Sequence, residues 1–145
     1  MKITSTAFEH QQKIPAKYTC KGENVNPPLQ FIDVPNNAKS LVLIVDDPDA
    51  PVGLWVHWVA FNIDPKTSGV EENSKFTSGI EGVTSFGKPG YGGPCPPSGT
   101  HRYFFKLYAL DLELNLSETA DKKAVEDAMN LHILDQAELV GLYSK

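Results

Sequence analysis

Three short runs of β-branched and aromatic residues, each closed by turn-forming residues, set the tightest limit on what this chain can become. Leu41-Val42-Leu43-Ile44-Val45 is apolar at every position and is followed at once by Asp46-Asp47-Pro48. A run that short and that continuous reads as a strand buried on both faces. Trp55 to Ile63 is a second strand of the same character. Arg102 to Leu110 is a third, with Tyr103, Phe105, Leu107 and Ala109 alternating onto one face. Lys2 to Thr6 and Leu29 to Ile32 are weaker strands. One helix is expected, because Ala124, Val125, Ala128 and Met129 recur at helical spacing. Thr119 or Ser117 is placed to cap it, and Glu118 and Asp121 fall in its first turn, where the helix dipole favours acids. Ile133 to Tyr143 fits helix or strand, and Glu138 to Tyr143 leans to a final strand. The chain therefore reads as mostly β, and no internal repeat is present.

A chain of 145 residues suits one domain spanning 1–145. Thirteen Lys and Arg against eighteen Asp and Glu give a net charge of -5. That balance argues against nucleic acid and against anionic membrane surfaces, both of which ask for a basic field. No apolar run approaches the ~20 residues of a membrane-spanning helix. The only cysteines are Cys20 and Cys95, and neither sits in a Cys-x-x-Cys pair, which excludes a zinc ribbon or a thioredoxin-type motif. They are expected as two reduced thiols. Residues 1–10 lack the apolar core of a secretion signal, so a cytoplasmic location is the expectation.

Gly79 to Thr100 departs from the rest. It holds seven of the eleven glycines and four of the eleven prolines. A structureless stretch of that length inside one domain is usually functional or disordered. Phe86, Tyr91 and the rigid Pro94-Cys95-Pro96-Pro97 run favour a folded loop pinned by its own side chains.

Polar residues that could carry chemistry stand where the strands end. Asp47-Pro48-Asp49-Ala50-Pro51 leaves the first strand and reads as a rigid turn, with a cis proline left open. His57 lies near the start of the second strand, and His101-Arg102-Tyr103 opens the third. If the strands are antiparallel neighbours, all three reach the same end of the sheet. His57 and Tyr103 belong to otherwise apolar faces, so they need hydrogen-bond partners, and the carboxylates of Asp47 and Asp49 are the nearest. A His–carboxylate bond fixes the ring's tautomer. Such a site would offer an anion a ring, a tyrosine hydroxyl and loop N–H groups, with Gly90, Gly92, Gly93 and Gly99 letting the backbone approach. Against that stand plainer readings: a satisfied core histidine, a simple turn, and packing roles for Trp55 and Trp58. His10 and His132 read as structural or surface residues.

Asp47-Pro48-Asp49-Ala50-Pro51, Trp55-x-His57-Trp58 and Gly93-Pro94-Cys95-Pro96-Pro97-Ser98-Gly99-Thr100-His101-Arg102-Tyr103 together resemble the phosphatidylethanolamine-binding protein family, in its short bacterial and archaeal branch. Ile14-Pro15-x-x-Tyr18-Thr19-Cys20-x-Gly22, Asn26-Pro27-Pro28-Leu29 and Ala137-Glu138-Leu139-x-Gly141-x-Tyr143 extend the likeness to nearly the whole chain. Val56 stands before His57 where eukaryotic members often carry an adjacent pair of histidines. The resemblance implies a β-sandwich of two antiparallel or mixed sheets with one or two short helices near the C-terminus. It also implies a pocket for phosphate-like anions at Asp47, Pro51, His57, His101 and Tyr103, with Asp49, Trp55 and Pro94 at its wall.

The expectation is therefore a binding module without a cofactor or metal. Its ligand would be a small phosphorylated or carboxylated group, and it would regulate a protein partner such as a kinase or protease. Two alternatives remain. One is an enzyme, a hydrolase or metal-dependent, using the Asp/His cluster or a His–Cys95 pair, although no His-x-x-x-His or His-Glu-x-x-His spacing is present. The other is an interaction module that does not use the pocket. A homodimer is left open by the residues.

Overall fold

The apolar run at Leu41–Val45 lies at the centre of the molecule, and the other elements are arranged around it. The computed structural model describes residues 1–145. In chain order it contains β1 (Lys2–Thr4), β2 (Gln12–Lys13), a single 3-10 turn at Ala16–Tyr18, β3 (Leu29–Ile32), β4 (Ser40–Ala50) and β5 (Gly53–Ile63). Then follow β6 (Gly69–Val70), β7 (Ile80–Glu81), β8 (Thr100–Leu110), α1 (Lys122–Met129) and β9 (Ile133–Ser144). Six strands form a mixed sheet in the order β2-β9-β8-β4-β5-β7, and three form an antiparallel sheet in the order β1-β3-β6.

Because β4 is an inner strand with material on both sides, it is apolar without alternation. Leu41, Leu43 and Val45 face the small sheet, where they meet Phe105 and Leu107 of β8 and Leu29 and Phe31 of β3. Val42 and Ile44 face the other way, onto Val59, Phe61 and the helix residues Val125 and Met129. Each such fully buried side chain contributes roughly 1.5–3 kcal/mol through its area removed from water. β8 is covered fully on one face only, so it alternates: Tyr103, Phe105, Leu107 and Ala109 are buried, while Phe104, Lys106 and Tyr108 are half-buried.

The expected fold class is present, with two sheets and one α-helix near the C-terminus. Several details differ from expectation. β4 does not stop at Asp46 but runs on to Ala50, so the turn is confined to Pro51 and Val52. All peptide bonds are trans. The cap of α1 is Asp121, whose carboxylate accepts the Ala124 N–H at 2.9 Å. Ser117 and Thr119 bond each other instead, and Glu118 lies before the helix. The ambiguous C-terminal stretch is strand from Ile133 onward, because β8 offers partners along its whole length. His10 and His132 are structural: His10 Nδ1 accepts the Val140 N–H, and His132 pairs with Asp111 on the surface. No helix is long and apolar enough to cross a membrane.

The cysteines need the largest correction. They are not two free thiols: Cys20 and Cys95, 75 residues apart, form a disulfide. The fold brings them together through backbone and amide contacts. The Cys20 N–H donates to the Pro94 carbonyl at 3.1 Å, the Gly93 N–H to Asn24 Oδ1 at 2.9 Å, and the Tyr91 hydroxyl to the Tyr18 carbonyl at 2.8 Å. Gly93 is required there, since a Cβ would collide with Asn24 Oδ1 and the Tyr18 carbonyl.

Candidate functional site

The strand registers place the polar residues. Asp47 lies opposite Trp55 across β4 and β5, and Asp46 lies opposite Phe104 across β4 and β8. The end of β4 and the starts of β5 and β8 therefore meet at one end of the large sheet. There a cleft of about 270 Å³ opens, lined by Asp47, Pro51, Trp55, His57, His101 and Tyr103. The glycine- and proline-rich loop closes its other side with Phe86, Cys95, Pro96 and Pro97.

Two of the eight residues expected here do not line it. Asp49 turns to the opposite face, where its carboxylate takes the Nε and Nη2 of Arg102, each at 2.9 Å, together with the Arg102 backbone N–H. That guanidinium lowers the Asp49 carboxyl to about 2. Pro94 is buried behind the wall, its carbonyl used by Cys20.

Both imidazoles are held by Nδ1. His101 Nδ1–H donates to Asp47 Oδ2 at 2.7 Å, and Asp47 Oδ1 accepts the Asp49 backbone N–H at 2.7 Å, so the carboxylate cannot swing. His57 has no carboxylate partner, contrary to expectation. Its Nδ1–H donates to the Gly92 carbonyl at 2.7 Å, and the Gly92 N–H returns a bond to the His57 carbonyl at 2.9 Å. This pairing needs the loop close to β5, and glycine permits it, since a Cβ at 92 would strike the Phe86 ring. The loop N–H groups expected to face an anion at Gly92 and Gly93 are thus used inside the protein.

Tyr103 stands between the two histidines, its ring 5.2 Å from His57 edge-on and 6.4 Å from His101. Tyr103 Oη and the Nε2 atoms of His57 and His101 have no protein hydrogen-bond partner. They are not sealed off, for Asp46 Oδ1 is the only unpartnered side-chain polar atom without solvent contact. The three therefore open to the cleft, although their residues are buried. Burial pushes the Tyr103 hydroxyl well up, with the Asp47 charge adding to it, so it stays a donor. Burial lowers His57 below its ordinary 6.5, against the Gly92 carbonyl and Asp47. At neutral pH its ring is uncharged, with the proton on Nδ1 and a lone pair on Nε2.

The rim is apolar. Val52 is 76% exposed and Phe86 41%. Phe86 meets both Trp55 and His57 edge-on at 5.5 Å. Sequence reasoning marked Phe86 as a loop anchor without bringing it to the site, and nothing in the sequence singled out Val52. No set of three His, Cys, Asp or Glu side chains is arranged to hold a metal ion.

A family model described as "Phosphatidylethanolamine-binding protein" matches residues 4–144. A "UPF0098 protein" of Methanothermobacter thermautotrophicus is 51% identical over 150 residues, which covers 100% of this chain and 99% of that relative. Among solved structures, a phosphatidylethanolamine-binding protein homologue of Chlamydia trachomatis, CT736, superposes with a TM-score of 0.96 at 45% identity, covering 99% of this chain and 97% of that one. Escherichia coli YbcL, described as a member of the mammalian family, does so with a TM-score of 0.92 at 28% identity, covering 99% and 98%.

Proposed function

The chain belongs to the phosphatidylethanolamine-binding protein family, and from that premise we propose that its cleft binds the phosphoryl or carboxylate end of a small ligand without transforming it. One observation carries this reading: three polar atoms, His57 Nε2, His101 Nε2 and Tyr103 Oη, line one small cleft and have no partner in the protein. The three atoms are open to the cleft, and a ligand's oxygens could accept from the Tyr103 hydroxyl and, once the rings are protonated, from both Nε2–H groups together. Asp47 keeps its charge, but its oxygens are held by His101 and by the backbone, so its part is to orient the His101 ring that meets the ligand.

Titration by NMR with phosphate, phosphoethanolamine and acetate tests the proposal. The His57, His101 and Tyr103 ring signals are expected to move in a saturable way, and no movement in any of them sinks the claim. The pH dependence has a definite sign. The free cleft holds His57 neutral, whereas an anion favours the protonated ring, so binding takes up a proton. Affinity for sulfate, which does not itself titrate near neutrality, should rise as pH falls from neutrality towards the lowered value of the free His57 ring, by at most about tenfold per pH unit.

A regulatory role belongs to the same proposal. The loops around the cleft would present it to a partner, a kinase or a protease, and capture by wild type but not by His101→Ala would mark the contact as pocket-dependent. Exposed Leu131, Ile133 and Leu134 supply an apolar patch on which a second copy could sit, and light scattering reads that. A cytoplasmic home remains part of the proposal. A hydrolytic reading is favoured only by the Asp47–His101 pair, whose free Nε2 could act as a base. Release of phosphate from simple esters would establish it.

A further inference from the structure

Part of the cleft wall is anchored by a bond that ordinary thiol chemistry can open. Cys95, Pro96 and Pro97 all line the cleft. Neither these residues nor Ser98 makes a hydrogen bond within the protein, and the two prolines have no N–H to offer. Apart from packing, what ties this stretch to the body of the molecule is the Cys20–Cys95 disulfide. Both cysteines are exposed, so the bond faces solvent. Exposed disulfides are the labile ones, and a disulfide in a reducing compartment is usually a regulatory one.

We infer that Cys20–Cys95 is a thiol–disulfide exchange site whose redox state sets the shape of the cleft. The effect on ligand affinity rests on the anion-binding reading above. The co-reactant is a thiol, either small or on a protein. Its thiolate attacks one exposed sulfur, forming a mixed disulfide and releasing the other cysteine as thiolate. A second thiol then displaces the first cysteine. In sum, the protein disulfide and two thiols become two protein thiols and one external disulfide, with two electrons and two protons transferred to the protein. Reduction frees residues 95–98, and Pro96 and Pro97 leave their place opposite His101. Because binding and reduction share this wall, the coupling is reciprocal: an occupied cleft makes the disulfide harder to reduce by the same factor.

Dithiothreitol and inorganic phosphate test this on the intact protein. Phosphate is expected to bind the reduced form about fivefold or more weakly than the oxidised form, with recovery on reoxidation. The Cys20 and Gly93 amides, bonded across the junction, should lose hydrogen-exchange protection on reduction. A Cys20→Ser/Cys95→Ser variant should match the reduced protein, and if it fails to fold, the reduced and reoxidised wild type still gives the comparison. Equal phosphate affinity in the two redox forms overturns the inference, as does global unfolding on reduction, which would make the bond structural. If phosphate binds neither form, the anion-binding reading fails by itself. The exchange data then decide the redox claim: loss of protection at Cys20 and Gly93 supports it, and unchanged protection overturns it.

Discussion

Asp46 and Asp47 are neighbours on one strand, both almost sealed from solvent at 1% and 3% exposure, yet they live in different chemistry. Asp47 faces the cleft and has both oxygens engaged, one by His101 and one by backbone. Asp46 faces the helix side. One of its oxygens takes Lys106 at 3.1 Å with Lys122 at 4.0 Å, and the other has no partner. Burial pushes the Asp46 carboxyl up, against the pull of Lys106. Burial alone thus does not mark a functional carboxylate. What distinguishes Asp47 is that it holds a side chain whose far end is left free.

The largest effect should come from Asp47→Ala. Losing the carboxylate leaves the His101 ring without its orienting acceptor, and phosphate affinity should fall at least about tenfold, with a stability loss of roughly 1–3 kcal/mol in urea unfolding. An unchanged affinity would erase the distinction between the two residues. Asp46→Asn should matter less, within about 1 kcal/mol at pH 7, because Lys106 is partly exposed and can turn its charge to water. The sign with pH sharpens the point. A carboxyl raised in the folded state favours folding below its unfolded value of 3.8 and loses that contribution as pH rises through the folded value. Asp46→Asn should therefore flatten stability against pH on the acid side, and a loss as large as that of Asp47→Ala would break the comparison. Smallest of all, Asp49→Asn should leave phosphate affinity unchanged. Its exposed pair with Arg102 favours folding above pH 3.8, and that contribution fades as pH falls towards 2, so any stability change should vanish in acid.

These three carboxylates also show how far the sequence could be read. The run at Leu41–Val45 was legible because β4 is covered on both faces, and the alternation in β8 because one face of that strand is covered more completely than the other. Strict alternation would put Asp47 and Asp49 on the same side. It fails because the β4–β5 register shifts between Asp47 and Ala50, and that irregularity carries Asp49 across to Arg102. The meeting of His57, His101 and Tyr103 followed from strand ends and was anticipated. The partner of His57 was not, because the Gly92 carbonyl arrives from a loop whose path composition cannot trace. The disulfide was equally hidden, since two lone cysteines 75 residues apart carry no spacing signal.

The histidines and Tyr103 sit on β5 and β8, inside the large sheet, whereas Val52 and Phe86 belong to its turn and loop. Replacing the deep residues would disturb the scaffold, but altering Val52 or Phe86 would leave it standing. Such a division lets evolution keep one anchor while varying the cargo attached to it, and a designer could exploit the same freedom.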